Sequence, residues 1–227
     1  MADLLTYYSQ NTSAYWQALG EHLGISLIAV AIAALVGIPM GILSLRSKRI
    51  STFVTGVFNT LRIVPSLAIL VLCIPLFGVG VRPALIALTV LAVPPILINT
   101  AKGFEGLSPS VLEAAKGLGM SPLRIFWTVK MPLAMPLMLA GLKTATVEVI
   151  ASATLAAYIG AGGLGGLIFT GIGLFRTDLL LLGGLSVAAL SLTASLLWSV
   201  AERFATRYTR TNEGRSRNSS RASVKAI

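Results

Sequence analysis

Three charged residues, Arg62, Lys143 and Glu148, lie within otherwise apolar stretches. At the centre of a membrane helix each charge costs about 2.5–3.5 kcal/mol, so each is expected to face protein or water. Glu148 could attract a cation crossing the protein, with aromatic side chains adding cation–π contact, or form a structural ion pair with Arg62 or Lys143. Arg62 could instead lie near the inner end of its span and extend to the headgroups. Lys143 and Glu148 are five residues apart and should not pair directly.

The sequence offers little for covalent or metal chemistry. There is one histidine, His22, placed before the first apolar stretch, and one cysteine, Cys73, expected to be a packing residue. Gly160, Gly162 and Gly165 match the G-x-G-x-x-G dinucleotide pattern, but no strand precedes them. We interpret them as a tight re-entrant turn at the outer end of a span. We expect no catalytic, metal-binding or cofactor-binding residue, and no G-x-x-x-x-G-K-[ST] loop for ATP is present.

The composition is that of a membrane protein. Of 227 residues, 55% are hydrophobic and 11% are charged, against about 25% charged in a soluble domain. A membrane helix needs roughly 20 apolar residues, and the short alternating segments of a β-barrel are not seen. We therefore predict an all-α polytopic protein with five transmembrane helices. The predicted spans are 23–45, 52–77, 83–101, 133–158 and 179–201.

Lysine and arginine are concentrated in every second connection between the predicted spans. Fourteen of the 18 lysines and arginines lie in 46–49, in 102–130 or from 203 onward, whereas the opposite connections contain only Arg82 and Arg176. Lysine and arginine concentrate on the cytoplasmic side of membrane proteins. This predicts an external N-terminus and a cytoplasmic C-terminus, and it explains most of the net charge of +10 without a nucleic-acid partner.

Three regions are expected along the chain. Residues 1–22 form an extracytoplasmic segment that lacks the basic start of a cleaved signal peptide, and Tyr15 and Trp16 suit an interfacial helix. Residues 23–205 form the transmembrane domain. Residues 206–227 form a basic cytoplasmic tail whose serine and arginine content predicts disorder near anionic lipid rather than RNA binding.

The connection 102–132 is the longest on the predicted cytoplasmic side. Serine followed by proline occurs at 108–109 and again at 121–122, and each pair is typical of a helix start. Gly119 stands where the first of these helices should end, because glycine adopts the left-handed conformation of a helix terminus. The connection is therefore predicted to be two short helices that meet at an angle.

The same connection contains a spaced motif. Glu113-Ala114-Ala115 is followed by three residues, Gly119, nine residues, and then Val-Lys-Met-Pro at 129–132. This resembles the EAA loop of permease subunits in binding-protein-dependent ABC importers, whose pattern ends in Ile-x-Leu-Pro. The two apolar replacements are mild and the spacing is unchanged.

The resemblance implies an ABC importer permease fold of the methionine-permease type, in which this loop couples to a separate ATPase. The coupling residues it implies are Glu113, Ala114, Ala115, Gly119 and Pro132. ATP and magnesium would be bound by that ATPase, and an external binding protein would deliver the substrate. A second permease copy, identical or a sister subunit, would complete the path within the lipid of the cell membrane. Candidates for the path are Arg62, Asn99 and Glu148.

Three stretches, 59–70, 95–120 and 153–172, resemble the quaternary-amine uptake permeases. This implies osmoprotective import of glycine betaine, choline or carnitine, and no enzymatic activity in this chain. The methionine or other amino-acid importer permeases share the five-span plan and are an alternative. An ion-coupled secondary carrier is an alternative of a different class, although inverted repeats would then be expected.

Overall fold

The structure is a computed structural model that describes residues 2–206. Every regular element within these residues is helical. The predicted basic tail at 206–227 lies outside the described residues, apart from Thr206.

Ten α-helices follow one another along this part of the chain. They are α1 Ala2–Gln10, α2 Thr12–Ser44, α3 Lys48–Leu61, α4 Ser66–Phe77, α5 Val81–Glu105, α6 Pro109–Gly117, α7 Pro122–Ile125, α8 Met131–Ala156, α9 Leu164–Gly173 and α10 Thr177–Thr206. A π-helical segment, Phe126–Lys130, joins α7 to α8, and a 3₁₀ turn, Ala157–Ile159, follows α8.

Within residues 2–206, four helical runs are long and apolar enough to cross a membrane: α2, α5, the continuous run Pro122–Ile159, and α10. Each extends beyond the apolar stretch that predicted it. The helix α2 has 33 residues and begins at Thr12, 11 residues before the predicted start of its span. No proline interrupts its backbone hydrogen bonds before Pro39. Residue 22, predicted to end a separate external segment, therefore lies inside a helix.

The predicted second span, 52–77, is divided into α3 and α4, whose axes differ by 91°. The helix stops because Pro65 has no N–H to donate and its ring disfavours helical geometry at Val64. Counted as one bent span, this pair brings the spans of the described chain to five.

The central helix of the bundle is α5, which packs most extensively against α2 and α8. Small residues allow this close approach. A Cβ atom placed on Gly41 of α2 would lie 2.8 Å from the Cβ of Thr100, and one on Gly141 of α8 would lie 2.8 Å from the Cβ of Asn99. Glycine at such positions lets membrane helices approach backbone to backbone, so α2, α5 and α8 form one tightly packed unit.

Candidate functional site

The Glu-Ala-Ala segment lies in α6, which has Pro109 in its first turn. The helix ends in a Schellman motif: Met120 N–H donates to the Ala115 carbonyl at 3.3 Å, and Gly119 N–H donates to the Lys116 carbonyl at 2.9 Å. Gly119 has φ +71°, a conformation that favours glycine. The predicted helix end at Gly119 is confirmed, and the turn after α6 has a defined geometry.

The second helix of the loop differs from the prediction. It begins at Pro122, where the Ser121 hydroxyl accepts the Arg124 N–H at 3.4 Å, but it continues through the π-helical segment into α8. Pro132, at the start of α8, cannot donate to the preceding turn. A wider turn, in which Met131 N–H donates to the Phe126 carbonyl, precedes it. The loop is thus one short helix plus an extension of the fourth span.

The residues predicted to couple to an ATPase are not all available to a partner. Glu113, Ala114, Gly119 and Pro132 are exposed, whereas Ala115 is only 5% exposed and packs within the chain. Only Ala114 of the alanine pair is therefore open to close approach. Large apolar side chains are exposed around α6 and the start of α7: Val111, Leu118 and Leu123.

The loop is attached to the bundle through aromatic contacts. The rings of Phe104 in α5 and Phe126 stack with centroids 5.7 Å apart, and Trp127 meets Phe126 edge-on at 5.1 Å. Buried Ala134 and Met138 of α8 complete this small cluster. Movement of the loop would therefore act on the adjoining ends of α5 and α8.

Two of the three charged residues in the apolar stretches pair with each other, and the third bonds to a different residue. Arg62, at the end of α3, forms an ion pair with Glu148 of α8 at 3.0 Å. Lys143 instead donates to the Ser199 hydroxyl at 2.8 Å. The prediction that Lys143 and Glu148 do not pair is confirmed. Of the alternatives for Arg62, the structure shows the ion pair, because the break in the second span places Arg62 within reach of α8.

Asn99, the third candidate for the path, is half-buried on α5. Its side-chain amide donates to the Pro95 carbonyl of its own helix at 2.8 Å. Its Cβ lies against Gly141 of α8, so packing between the two helices explains its position.

The glycine-rich segment after α8 forms the predicted tight turn. Gly160, Gly162 and Gly163 have φ between +78° and +82°, and the short helix α9 follows. The Gly163 N–H donates to the carboxylate of Glu21 at 3.0 Å. A carboxylate of this chain therefore occupies the helix N-terminus, where a nucleotide phosphate would otherwise bind.

His22, expected outside the spans, is buried within α2. It is 1% exposed, and its Nε2 donates to the Ile150 carbonyl of α8 at 3.0 Å. The helix that carries it continues past the predicted boundary, so the side chain joins α2 to α8. Cys73 is buried in the main core, as expected of a packing residue.

Residues 15–210 match the family described as the binding-protein-dependent transport system inner membrane component. The chain belongs to this family.

Curated relatives support the assignment over most of their length. The choline transport system permease protein OpuBB of Bacillus subtilis (strain 168) is 43% identical over 81% of this chain and 84% of the relative. The carnitine transport permease protein OpuCB of Listeria monocytogenes is 43% identical over 85% of this chain and 88% of the relative. The glycine betaine/carnitine/choline permease protein OpuCB of Bacillus subtilis (strain 168) is 40% identical over 89% and 94%.

Solved structures share the fold. An inward-facing structure of the MetNI methionine ABC transporter has a TM-score of 0.77 at 20% identity, covering 86% of this chain and 98% of the solved chain. An amino acid ABC transporter solved with histidines has a TM-score of 0.73 at 21% identity, covering 87% of this chain and 97% of the solved chain. This confirms the ABC importer permease fold.

The protein is therefore a multi-pass component of the inner membrane, a permease of a transport system. Sequence reasoning did not single out three polar residues that hold its helices together. Glu21 holds the glycine turn, and Ser51 of α3 donates to Glu105 of α5. These residues stand at the edges of apolar stretches, and nothing in their local spacing identifies their partners.

Proposed function

We propose that this permease imports a quaternary-amine osmolyte: glycine betaine, choline or carnitine. The observation that carries the proposal is the 40–43% identity to permeases named for these solutes, over more than four fifths of the chain. Uptake is driven by a separate ATPase that binds ATP and magnesium, and the substrate is delivered by an external binding protein. The positive-inside distribution of lysine and arginine supports an external N-terminus and a cytoplasmic loop 102–132.

The ATPase docks on the loop around α6. Exposed Glu113 and Ala114, together with exposed Leu118, present a mixed polar and apolar surface. The Schellman turn at Gly119 holds α6 at a fixed angle to α7, and the Phe104–Phe126 stack connects that arrangement to the spans. A rigid loop of this kind transmits motion of the ATPase to α5 and α8.

The substrate path runs along the face that carries Arg62 and Glu148. In the isolated chain their side chains are 40% and 41% exposed. An exposed ion pair within membrane-spanning helices is costly against lipid, so this face meets water or a second permease copy. The path therefore lies between two copies, either identical or sister subunits. Nothing about Asn99 beyond helix packing supports its place on the path.

The methionine alternative rests on weaker support. The solved methionine and amino-acid transporters are 20–21% identical to this chain, which is evidence for the fold only. The choline and carnitine permeases are twice as similar in sequence.

The test is uptake by the complete transporter, with its ATPase and binding protein, in sealed vesicles. Labelled glycine betaine, choline, carnitine and methionine are supplied separately. We expect ATP-dependent uptake of at least one quaternary amine and none of methionine. Accumulation of methionine alone would support the alternative. Uptake that survives ATP depletion but stops when the ion gradient is collapsed would favour a secondary carrier.

A further inference from the structure

Helix α3 is loosely embedded in the bundle. Among its 14 residues only Ser51 is buried. Phe53 and Val57 are 72% and 49% exposed, and its principal helix contact is α5. Of its apolar side chains, only Val54 and Phe58 pack against the main core. The helix α3 can therefore tilt without opening the tightly packed unit of α2, α5 and α8.

The N-terminal end of α3 is attached to the connection 102–132, here called the coupling loop, by a hydrogen bond between two side chains. The hydroxyl of Ser51, which is 5% exposed, donates to the carboxylate of Glu105. Glu105 is the last residue of α5, and α6 begins four residues later at Pro109. The neighbouring Phe104 stacks on Phe126 at the other end of the loop. A displacement of the loop therefore acts directly on the residue that holds α3.

The C-terminal end of α3 is attached to a different helix. Arg62 directly follows α3, stands at the start of the 91° break, and pairs with Glu148 of α8 at 3.0 Å. Ser51 and Arg62 are separated by 11 residues, or about 17 Å along the helix at 1.5 Å per residue. The helix thus has one polar attachment at each end, the first to α5 and the second to α8.

We propose that α3 is a lever that carries motion of the coupling loop to the Arg62–Glu148 pair, and that Ser51 and Glu105 are the positioning residues that attach it to the loop. The proposal rests on the proposed transport function. The Ser51–Glu105 hydrogen bond persists through the cycle. Tilting of α3 about this attachment separates Arg62 from Glu148, which leaves the Glu148 carboxylate open to the positive ammonium group of the substrate.

The first test measures coupling in the reconstituted complete transporter. Ser51→Ala should lower uptake per ATP hydrolysed by about tenfold, the change expected on losing one hydrogen bond to a charged group. Ser51→Thr keeps the hydroxyl and should keep near-normal coupling. Thr55→Ala is the matched control, because the Thr55 hydroxyl bonds only to carbonyls of its own helix, those of Ser51 and Thr52.

The second test measures movement at the C-terminal end of α3. Ile63, in the break, is 79% exposed, and Ile63→Cys provides a site for maleimide labelling, with the buried Cys73 of the parent chain as background. The labelling rate should change several-fold between the nucleotide-free and ATP-trapped transporter. That change should be lost on adding Ser51→Ala or Glu105→Ala and kept on adding Thr55→Ala. Thermal unfolding of each variant separates loss of coupling from loss of fold.

The lever proposal is overturned if Ser51→Ala and Thr55→Ala give the same uptake per ATP hydrolysed and the same labelling change. It is also overturned if Ser51→Ala and Glu105→Ala lower coupling only in proportion to a fall in thermal stability. A parent transporter that hydrolyses ATP but takes up no quaternary amine would contradict the proposed substrate. The labelling comparison would still test the lever in that case, so the two failures are distinguishable.

Discussion

Arg62 and Glu148 are 86 residues apart in sequence and 3.0 Å apart in the structure. The contact joins the break of the bent second span to α8, and it satisfies two charges that would each be unfavourable in a membrane on their own. Both side chains remain about 40% exposed in the single chain. The pair is thus a structural contact and also part of an accessible surface, and these two roles can be separated by experiment.

Separating the structural role from the surface role requires single substitutions and a variant in which the two charges are exchanged. Glu148→Gln and Arg62→Gln should each lower the free energy of unfolding in detergent by about 1–3 kcal/mol, since each leaves a partly buried charge unpaired. The exchange variant Arg62→Glu with Glu148→Arg should regain most of that stability. If Glu148 faces the substrate cation, the exchange variant should still fail in uptake, because arginine then stands where the ammonium passes. Full recovery of both stability and uptake would restrict the pair to a structural role.

The turn after α6 tests the coupling assignment. Gly119→Ala places a side chain at φ +71° and should destabilise the turn by about 1–2 kcal/mol, whereas Gly117→Ala, at a helical position with open space around it, should not. Gly119→Trp should leave membrane insertion intact but reduce both ATPase co-purification and uptake.

Gly166→Trp is the control for added bulk, because Gly166 has open space around it and lies on α9 after the glycine turn. Normal coupled uptake by the Gly119→Trp variant would count against the assignment of α6 as the docking element.

The contact between α9 and α8 tests the packing of the glycine-rich segment. A Cβ on Gly165 would lie 2.1 Å from the Thr154 carbonyl oxygen, which is part of the backbone and cannot rotate away. Gly165→Ala should therefore lower stability by about 2–3 kcal/mol, measured by thermal unfolding in detergent. The neighbouring Gly166→Ala meets nothing within 4 Å and should be near neutral. Equal effects at the two positions would show that the close approach of α9 to α8 is not maintained.

Glu21 tests how the glycine turn is held. Its carboxylate accepts the Gly163 N–H at 3.0 Å, so Glu21→Ala should weaken the start of α9 by about 1 kcal/mol. Hydrogen exchange of the Gly163 amide should accelerate accordingly. Gln17→Ala removes only an exposed side-chain donor to Glu21 and should leave that exchange rate unchanged. Unaltered protection in the Glu21→Ala variant would contradict this anchoring.

Features that depend on neighbouring residues could be predicted. Hydropathy located the apolar stretches, because a membrane helix satisfies its own backbone and needs only length and apolar side chains. The end of α6 followed from Gly119, because left-handed geometry favours one residue type. The spacing of the Glu-Ala-Ala motif identified the family, which residues 15–210 then matched.

Other local features were missed although their cause is in the sequence. Pro65 breaks the second span and Pro132 follows a π-helical turn. A proline within a membrane helix can be accommodated or can bend it, and neighbouring helices decide which outcome is stable. Hydropathy therefore counted one span where the structure has two helices at 91°.

Long-range pairings were determined only by the tertiary structure. Ser51 meets Glu105, His22 meets Ile150, and Glu148 meets Arg62 rather than Lys143. Each partner is determined by how α2, α3, α5 and α8 cross and rotate, since a hydrogen bond requires atoms to meet within about 3 Å. The sequence alone determined the membrane class, the family and the end of the short helix that carries the Glu-Ala-Ala motif. The tertiary structure decided which charges neutralise one another and which face remains open, because those depend on distances between helices that no local pattern encodes.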